Sequence, residues 1–355
     1  MSRPFLTVLV DTYNHERFIE QAIQSVLEQD FSASDREILV VDDGSTDRTP
    51  EILRRFEPQV RVLRKANGGQ ATAFNAGIPA CRGEIIAFLD GDDWWAHSKL
   101  SKVSSIFAEN RELGIVGHGI TEVFPNGSQR TECLPHPARF QLNSREGALL
   151  FRARKQFLGT SRMTVRARLL ETLLPVSEDL RIEADEFLFT VAALHSPVMI
   201  LTEALTFYRL HGGNLYQMAG STKDGLLRKQ RVLVALAISI GERFRTEGVP
   251  QEIAEAVIEI IQAEADQLRL TLKGGFPWET VRTERTIYRV MHENPPLGHR
   301  IFRFLTMIPA ALLPSSWFYL IRRRLAANDQ YNRLRGILAP VPKPVHVHRS
   351  EKTHV

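Results

Sequence analysis

Six aspartates stand where strand-like runs give way to loops: Asp11, the pair Asp42-Asp43, and Asp90 with Asp92 and Asp93. If those strand ends lie side by side, the carboxylates converge, repel one another and raise each other's pKa. A divalent cation resolves that conflict. Mg2+ and Mn2+ favour oxygen ligands, and Mg2+ typically takes one or two carboxylates and completes its shell with water and substrate phosphates. The chemistry implied is binding of a phosphorylated donor, with the metal acting as a Lewis acid on a departing diphosphate. Each cluster also has a more ordinary reading. Asp42-Asp43-Gly-Ser-Thr-Asp47 is good turn and helix-capping material, and it lacks the alternating acids and terminal Glu of a calcium loop. Asp90 to Asp93 can be a solvated loop, but Phe88-Leu89 before it and Trp94-Trp95 after it hold the charges against apolar surface, where clustered carboxylates are costly unless used.

Bringing these acids together requires an open sheet of strand–helix–strand units, in which ligands bind beyond the carboxyl ends of the strands. The first 115 residues carry that pattern. Leu6 to Val10, Ile38 to Val41, Val60 to Leu63 and Ile85 to Leu89 read as strands. Between them, Ile19, Ala22, Ile23, Val26 and Leu27 form a helical apolar stripe, Thr49-Pro50-Glu51 opens a helix, and Ala71 to Ala80 is a small-residue helix. Lys99 to Glu109 is a further helix. Farther on, Gly119 to Val123 and Gln129 to Cys133 flank the turn Pro125-Asn126-Gly127, and helical patterning returns at 144–154, 168–174 and 185–194 before a strand at 205–210. Asn126-Gly127-Ser128 also matches a glycosylation acceptor, but the turn is the preferred reading. The fold class expected is α/β, a mostly parallel sheet flanked by helices, with a helix-rich C-terminal extension. We expect a catalytic domain over 1–220, a helical region over 221–339 and an unstructured tail over 340–355.

Composition narrows the partners. With 355 residues, 43% hydrophobic and 24% charged, the chain is ordinary globular material, and its net charge of +4 suits a phosphorylated ligand or an anionic surface. Cys81 and Cys133 are far apart with no C-x-x-C spacing, which favours a reducing, cytoplasmic setting over a disulfide framework or thiolate zinc site. The run from Phe304 to Ile321 has no charged residue and is bracketed by arginines. Pro309, Pro314, Ser315 and Ser316 weaken it as a membrane span, and an interfacial helix pair on an anionic leaflet, around 300–324, is preferred over a packed core helix. That makes the chain peripheral on the inner face of the cytoplasmic membrane. No G-x-G-x-x-G, G-x-x-x-x-G-K-[ST], H-E-x-x-H or G-x-S-x-G occurs, so a dinucleotide dehydrogenase, P-loop NTPase, zincin or serine hydrolase lacks its warrant. No nucleic-acid partner is expected.

Four stretches in order, Val8-Leu-Val-Asp-Thr-Tyr-Asn14, Val40-Val-Asp-Asp-Gly-Ser-Thr-Asp47, Asn67-Gly-Gly with Ala73-Phe-Asn-Ala-Gly77, and Phe88-Leu-Asp-Gly-Asp-Asp93, resemble the inverting family-2 glycosyltransferases of the GT-A fold over roughly residues 5–215. The resemblance implies transfer of a sugar from a nucleotide-diphosphate donor, UDP-linked, to a glycan or lipid-linked hydroxyl acceptor. It implies that Asp43 takes a hydrogen bond from the nucleobase, that Asp11, Thr12 and Tyr13 line the base pocket, and that Asp90, Asp92 and Asp93 form a D-x-D element for ribose and a Mn2+ or Mg2+ ion, with Asp92 as first ligand. The general base of the family lies in an E-D-like motif at a helix start. Here Arg181-Ile-Glu-Ala-Asp-Glu-Phe187 departs from that pattern, leaving Asp185 first, with Glu186 and Glu183 behind it, while helix N-terminal charge is the plainer reading of all three. Tyr208-Arg-Leu-His211 resembles a Y-R-x-H element, which places Arg209 near the diphosphate and His211 near the metal. Lys65 and Arg64 read equally as phosphate contacts or surface charge, and Trp94 and Trp95 as sugar platforms or core. Two alternatives are a sugar-phosphate nucleotidyltransferase, which would need a Gly-rich basic loop in place of Asp11-Thr-Tyr-Asn-His15, and a catalytically inactive nucleotide-sugar-binding protein.

Overall fold

The computed structural model describes residues 6–214, 222–291 and 297–326, and the expected tail from Pro340 lies outside them. The chain divides into two compact units, the first running to Gly212 and the second beginning at Gly213.

In the first unit, alternating segments lock together because the central strands Leu6–Thr12, Arg36–Asp42 and Ile85–Asp90 bury β-branched and aliphatic residues on both faces. The order is β1 (Leu6–Thr12), α1 (Ile19–Leu27), β2 (Arg36–Asp42), α2 (Thr49–Arg54), β3 (Arg61–Arg64), α3 (Gln70–Gly77), β4 (Ile85–Asp90), β5 (Trp94–Trp95) and α4 (Lys99–Glu109). Then follow β6 (Ile115–Val123), β7 (Gln129–Glu132), β8 (Ala138–Phe140), α5 (Arg145–Arg154), β9 (Thr164–Arg166), α6 (Ala167–Glu171), α7 (Ala184–His195) and β10 (Val198–Arg209). Val8, Val10, Ile38, Val40, Ala87 and Leu89 form the centre of one core with Ile19, Ala22, Ile23 and Val26 of α1, which is the stripe expected from the helical spacing.

The sheet order is β3-β2-β1-β4-β9-β6-β10-β5, with β7 paired to β6 and β8 to β10. β3, β2, β1 and β4 are parallel, as are β6 and β10. Between them β9 runs antiparallel to both β4 and β6. The short strands β5, β8 and β9 are not legible in the sequence, because two or three residues carry no period. The hairpin β6–β7 turns at Gly127, whose φ of +81° suits glycine.

The second unit is helical: α8 (Lys223–Thr246), α9 (Gln251–Lys273), α10 (Pro277–Met291), α11 (Leu297–Leu312) and α12 (Ser315–Ala326). Gly274, at φ +73°, ends α9 where Lys273-Gly-Gly275 predicts a break. The uncharged run from Phe304 to Ile321 is two helices. Pro314 has no N–H to continue α11, and its carbonyl instead accepts from Trp317 and Phe318 to start α12. Among the described residues no helix is long and apolar enough to cross a membrane.

Candidate active site

The parallel register of β1 with β2 and β4 puts Asp11 opposite Val41 and Asp90, so the carboxyl ends of three strands open on one crevice. The acids there separate into two groups with different electrostatics.

Asp42 and Asp43 are buried and paired with cationic and backbone groups of the protein. Asp42 Oδ1 accepts from Ser45 N at 2.9 Å and Oδ2 faces Arg64 Nε at 3.3 Å. Asp43 receives Lys65 Nζ at 2.5 Å, Gly68 N at 3.0 Å, Gly69 N at 2.7 Å and Asn67 Nδ2 at 3.2 Å. Its oxygens, which the sequence reading expects to accept from a nucleobase, accept here from Lys65 and the Asn67–Gly69 turn. The same contacts make Lys65 and Arg64 internal partners of acids rather than free phosphate ligands. Gly69 has φ +90°, and a Cβ there would lie 2.8 Å from Arg181 Cα, so only glycine lets this turn approach the segment leading into α7. Asp47 caps α2 by accepting from Thr49 N at 2.9 Å, as the plainer reading of that loop anticipates.

The second group is Asp11, Asp90, Asp92 and Asp93. Gly91 permits the tight passage between Asp90 and Asp92, since a Cβ there would lie 2.6 Å from Thr12 Oγ1 and 2.7 Å from His15 Nδ1. Burial, followed by the charges of Asp185 and Asp92, pushes Asp11 up to about 7. Burial likewise raises Asp90 and Asp93 well above the ordinary carboxylate range, with neighbouring aspartates adding to it. Asp92 goes the other way. Burial opposes its charge, but a hydrogen bond from His211 and the positive potential of His15 and His211 outweigh it, so its pKa is lowered. His211 Nε2 stands 3.0 Å from Asp92 Oδ2, and His15 Nε2 3.8 Å from the same oxygen. His15, four residues beyond Asp11, is a member that the sequence reading missed.

The end of β10 is stitched onto this turn. Arg209 donates from Nε to the Asp92 carbonyl at 3.0 Å, its backbone N–H donates to Asp93 Oδ1 at 3.0 Å, and its guanidinium stacks 4.4 Å from Trp94 and 4.9 Å from Phe18. Asp93 Oδ1 thus holds the backbone of β10, while its Oδ2, on the residue expected as a metal ligand, is buried without a hydrogen-bond partner. Trp94 lies flat on Phe207 with ring centroids 5.2 Å apart, and Trp95 is core. Thr12 is buried against His15, whereas Tyr13 is exposed.

Asp185 sits in the first turn of α7. Its Oδ2 accepts from Thr160 N at 2.9 Å and Thr160 Oγ1 at 3.0 Å, and Oδ1 accepts from Glu186 N at 2.8 Å. Burial raises its pKa, against those hydrogen bonds. Its charge is felt by Asp11 and Asp90, so it belongs to the same electrostatic site. Glu186 is paired with Lys155 instead, and Glu183 precedes α7 with φ +65°. The residues that join the two halves were invisible in the sequence. Gln70 donates to Thr160 Oγ1 at 3.0 Å and accepts from Ala184 N at 2.9 Å. Ser161 Oγ accepts from Asp90 N at 3.0 Å and donates to Asp90 Oδ2 at 3.2 Å, while its carbonyl takes Trp95 Nε1, Lys99 Nζ and Thr206 Oγ1. Thr160-Ser161 thereby fixes Asp185 and Asp90 relative to each other.

Among the described residues no three His, Cys, Asp or Glu side chains form a ready-made metal cage. The donor set nevertheless fits a divalent ion whose shell is completed by a ligand's phosphates. Asp11 Oδ1 and Asp93 Oδ2 are buried without a hydrogen-bond partner, and an ionised carboxylate stands next to two imidazoles. The raised pKa of Asp11 has a measurable consequence. A folded pKa above the unfolded one means that the stability tied to this group is complete below about pH 4 and lost as the pH rises through about 7. The metal-free Asp11→Asn variant therefore gains melting temperature relative to wild type across that interval and keeps the gain above it. A difference that does not change with pH would contradict the burial of Asp11 against like charge.

The model of the family described as Glycosyl transferase family 2 matches residues 7–166. The chain is 32% identical over 223 residues to an uncharacterized glycosyltransferase of Nostoc sp., covering 61% of this chain and 68% of that protein. In structure it is similar to S. aureus TarS 1-349 in complex with UDP-GlcNAc, with a TM-score of 0.58, 17% identity and 88% of each chain covered. It is also similar to the mannosyltransferase PcManGT from Pyrobaculum calidifontis in complex with GDP-Man and Mn2+, with a TM-score of 0.52, 19% identity and 95% and 85% of the two chains covered. At these identities the two structures establish a shared GT-A-like fold.

Proposed function

The chain belongs to glycosyl transferase family 2 and is a glycosyltransferase, and we propose that it performs an inverting transfer from a UDP-linked sugar to a hydroxyl of a glycan or lipid-linked acceptor in cell-envelope polysaccharide or glycolipid synthesis. The observation that carries this reading is that two unlike carboxylates, Asp92 and Asp185, both act on the buried Asp11 and Asp90. Asp92 is held ionised by His15 and His211, while Asp185 is buried and raised. The first suits holding a divalent cation, which would neutralise charge on a diphosphate, and the second suits proton abstraction.

In this reading Asp11, Thr12 and Tyr13 line the nucleobase and Asp90 meets the ribose. Asp92 and His211 hold Mn2+ or Mg2+, which when bound supplies Lewis-acid neutralisation of the leaving diphosphate. Arg209, fixed over Trp94 and Phe18, adds positive potential on that side. Asp185 accepts the proton of the acceptor hydroxyl as its oxygen attacks the anomeric carbon from the face opposite the diphosphate, which inverts the configuration. The turn Thr160-Ser161 keeps base and donor aligned. A UDP donor and a metal are supported by the TarS complex with UDP-GlcNAc and the PcManGT complex with Mn2+, and GDP is the competing nucleotide because PcManGT holds GDP-Man. We place the enzyme at the inner face of the cytoplasmic membrane, where its free Cys81 and Cys133 suit a reducing medium.

Calorimetric titration of UDP with and without Mn2+, with GDP in parallel, tests the donor site. UDP is expected to bind only with metal present, and slow hydrolysis of a UDP-sugar separates an enzyme from an inactive binding protein. If neither nucleotide binds at millimolar concentration with Mn2+, the reading fails.

A further inference from the structure

Helices α11 and α12 are built inside out. On α11 the exposed large apolar residues are Leu297, Ile301, Phe304, Leu305, Ile308 and Leu312, spaced i, i+4, i+7, i+8, i+11 and i+15 along one face. Leu312, Leu297 and Phe304 keep 74%, 72% and 70% of their surface exposed. The opposite face carries the polar groups. Arg303 reaches the buried Glu284 at 2.6 Å, and His299 is buried against Tyr288. On α12, Trp317, Leu320, Ile321 and Leu325 face out, while Phe318 and Tyr319 pack into a small core with Leu270 and Ala310, and Arg322 also pairs with Glu284. Exposed Phe276 and Trp278 lie beside the first turn of α12, tied there by Ser315 Oγ donating to the Phe276 carbonyl at 3.3 Å.

In water an amphipathic helix turns its apolar stripe inward, because each buried apolar side chain contributes favourably and each buried ion costs. Here a buried carboxylate draws arginines in, and the apolar stripes are left outside. Charge identifies what covers them. From Leu297 to Ala326 the chain has no Asp or Glu and five arginines, of which Arg300, Arg323 and Arg324 are exposed. Apolar stripes with aromatic anchors and flanking arginines match the boundary of an anionic bilayer, where acyl chains receive the aliphatic residues and headgroups the cations.

We propose that the outward faces of α11 and α12 dock the protein on an anionic lipid surface, with Phe304, Leu312 and Trp317 inserted at the headgroup boundary. This rests on the membrane placement given above and not on the transfer chemistry, so binding and turnover fail separately. Co-sedimentation of the full chain with vesicles of mixed phosphatidylcholine and phosphatidylglycerol, against phosphatidylcholine alone, tests it. The wild type is expected to sediment with the mixed vesicles. Phe304→Ser/Trp317→Ser, at two exposed positions, lowers the partition by ~10- to 100-fold. Arg323→Gln/Arg324→Gln lowers it by ~10-fold at low salt and little at high salt. Both variants retain the melting temperature and the UDP-sugar hydrolysis of the wild type. The proposal is overturned by a wild type that stays in the supernatant, by variants that bind as well as it does, or by a wild-type dimer that the Phe304→Ser/Trp317→Ser change dissolves without vesicle binding, since the face would then belong to a second copy.

Discussion

Asp185→Asn is expected to lower the turnover number about a thousandfold while leaving the calorimetric affinity for UDP and Mn2+ unchanged. The carboxylate is held at both oxygens, by Thr160 N and Oγ1 on one and Glu186 N on the other, so it is oriented before an acceptor arrives. Those donors favour its charged form, yet burial prevails and the pKa is raised. A base with a raised pKa grips the proton of an incoming hydroxyl more strongly than an ordinary aspartate. The sign of the pH dependence follows. The base works deprotonated, so turnover rises with pH through the raised pKa and is lost below it, and this acidic limb lies above the ordinary carboxylate range. The Asn variant's residual rate lacks the limb. Glu186→Gln, which removes a partner of Lys155 and not the base, costs less than ~10-fold. Asp185→Asn retaining a tenth or more of wild-type turnover would sink the assignment.

Asp92→Asn acts on the other half of the reaction. Of the four clustered acids around Gly91, Asp11, Asp90 and Asp93 are pushed toward their neutral forms and only Asp92 is pulled toward its charged one. A cation arriving with a nucleotide diphosphate finds its ready charge there. The amide keeps the shape and can still meet His211, but it carries no charge. Mn2+-dependent UDP affinity is therefore expected to fall at least ~100-fold, beyond the loss typical of an outer-shell partner. Without metal, neither the variant nor the wild type is expected to bind UDP. Titrations of the variant with and without Mn2+ measure this directly, and equal metal-dependent affinity in variant and wild type would rule Asp92 out as a ligand.

Much of the first unit could be read from local spacing. The stripe of Ile19, Ala22, Ile23 and Val26 is buried as its spacing requires, and the acids at the ends of β1, β2 and β4 do open on one crevice. The stretch Arg181 to Phe187 supplied Asp185, and Tyr208 to His211 supplied the partners of the Asp90–Asp93 turn. These features were legible because a period or a motif is complete within a few turns of chain.

The strands and helices of the parallel half, the presence of an acid-rich crevice and the acids that line it were thus legible in the chain alone, whereas His15, Gln70, Thr160 and Ser161 were not. The fold alone separated those acids by environment. Asp42 and Asp43 are neutralised by Arg64, Lys65 and the turn at Gly68 and Gly69, so they leave the repulsive cluster, and Asp93 turns inward to the backbone of Arg209. Asp90 and Asp185 are aligned through Thr160 and Ser161, an arrangement that depends on β9 inserting antiparallel between β4 and β6. The apolar faces of α11 and α12 have an ordinary helical period in the sequence, and which face looks outward was decided by Glu284, a residue on α10 that draws Arg303 and Arg322 inward. The physical reason is common to all three. A side chain's charge and its direction depend on partners brought near by the fold, and partners 19 to 116 positions away leave no periodic trace along the chain.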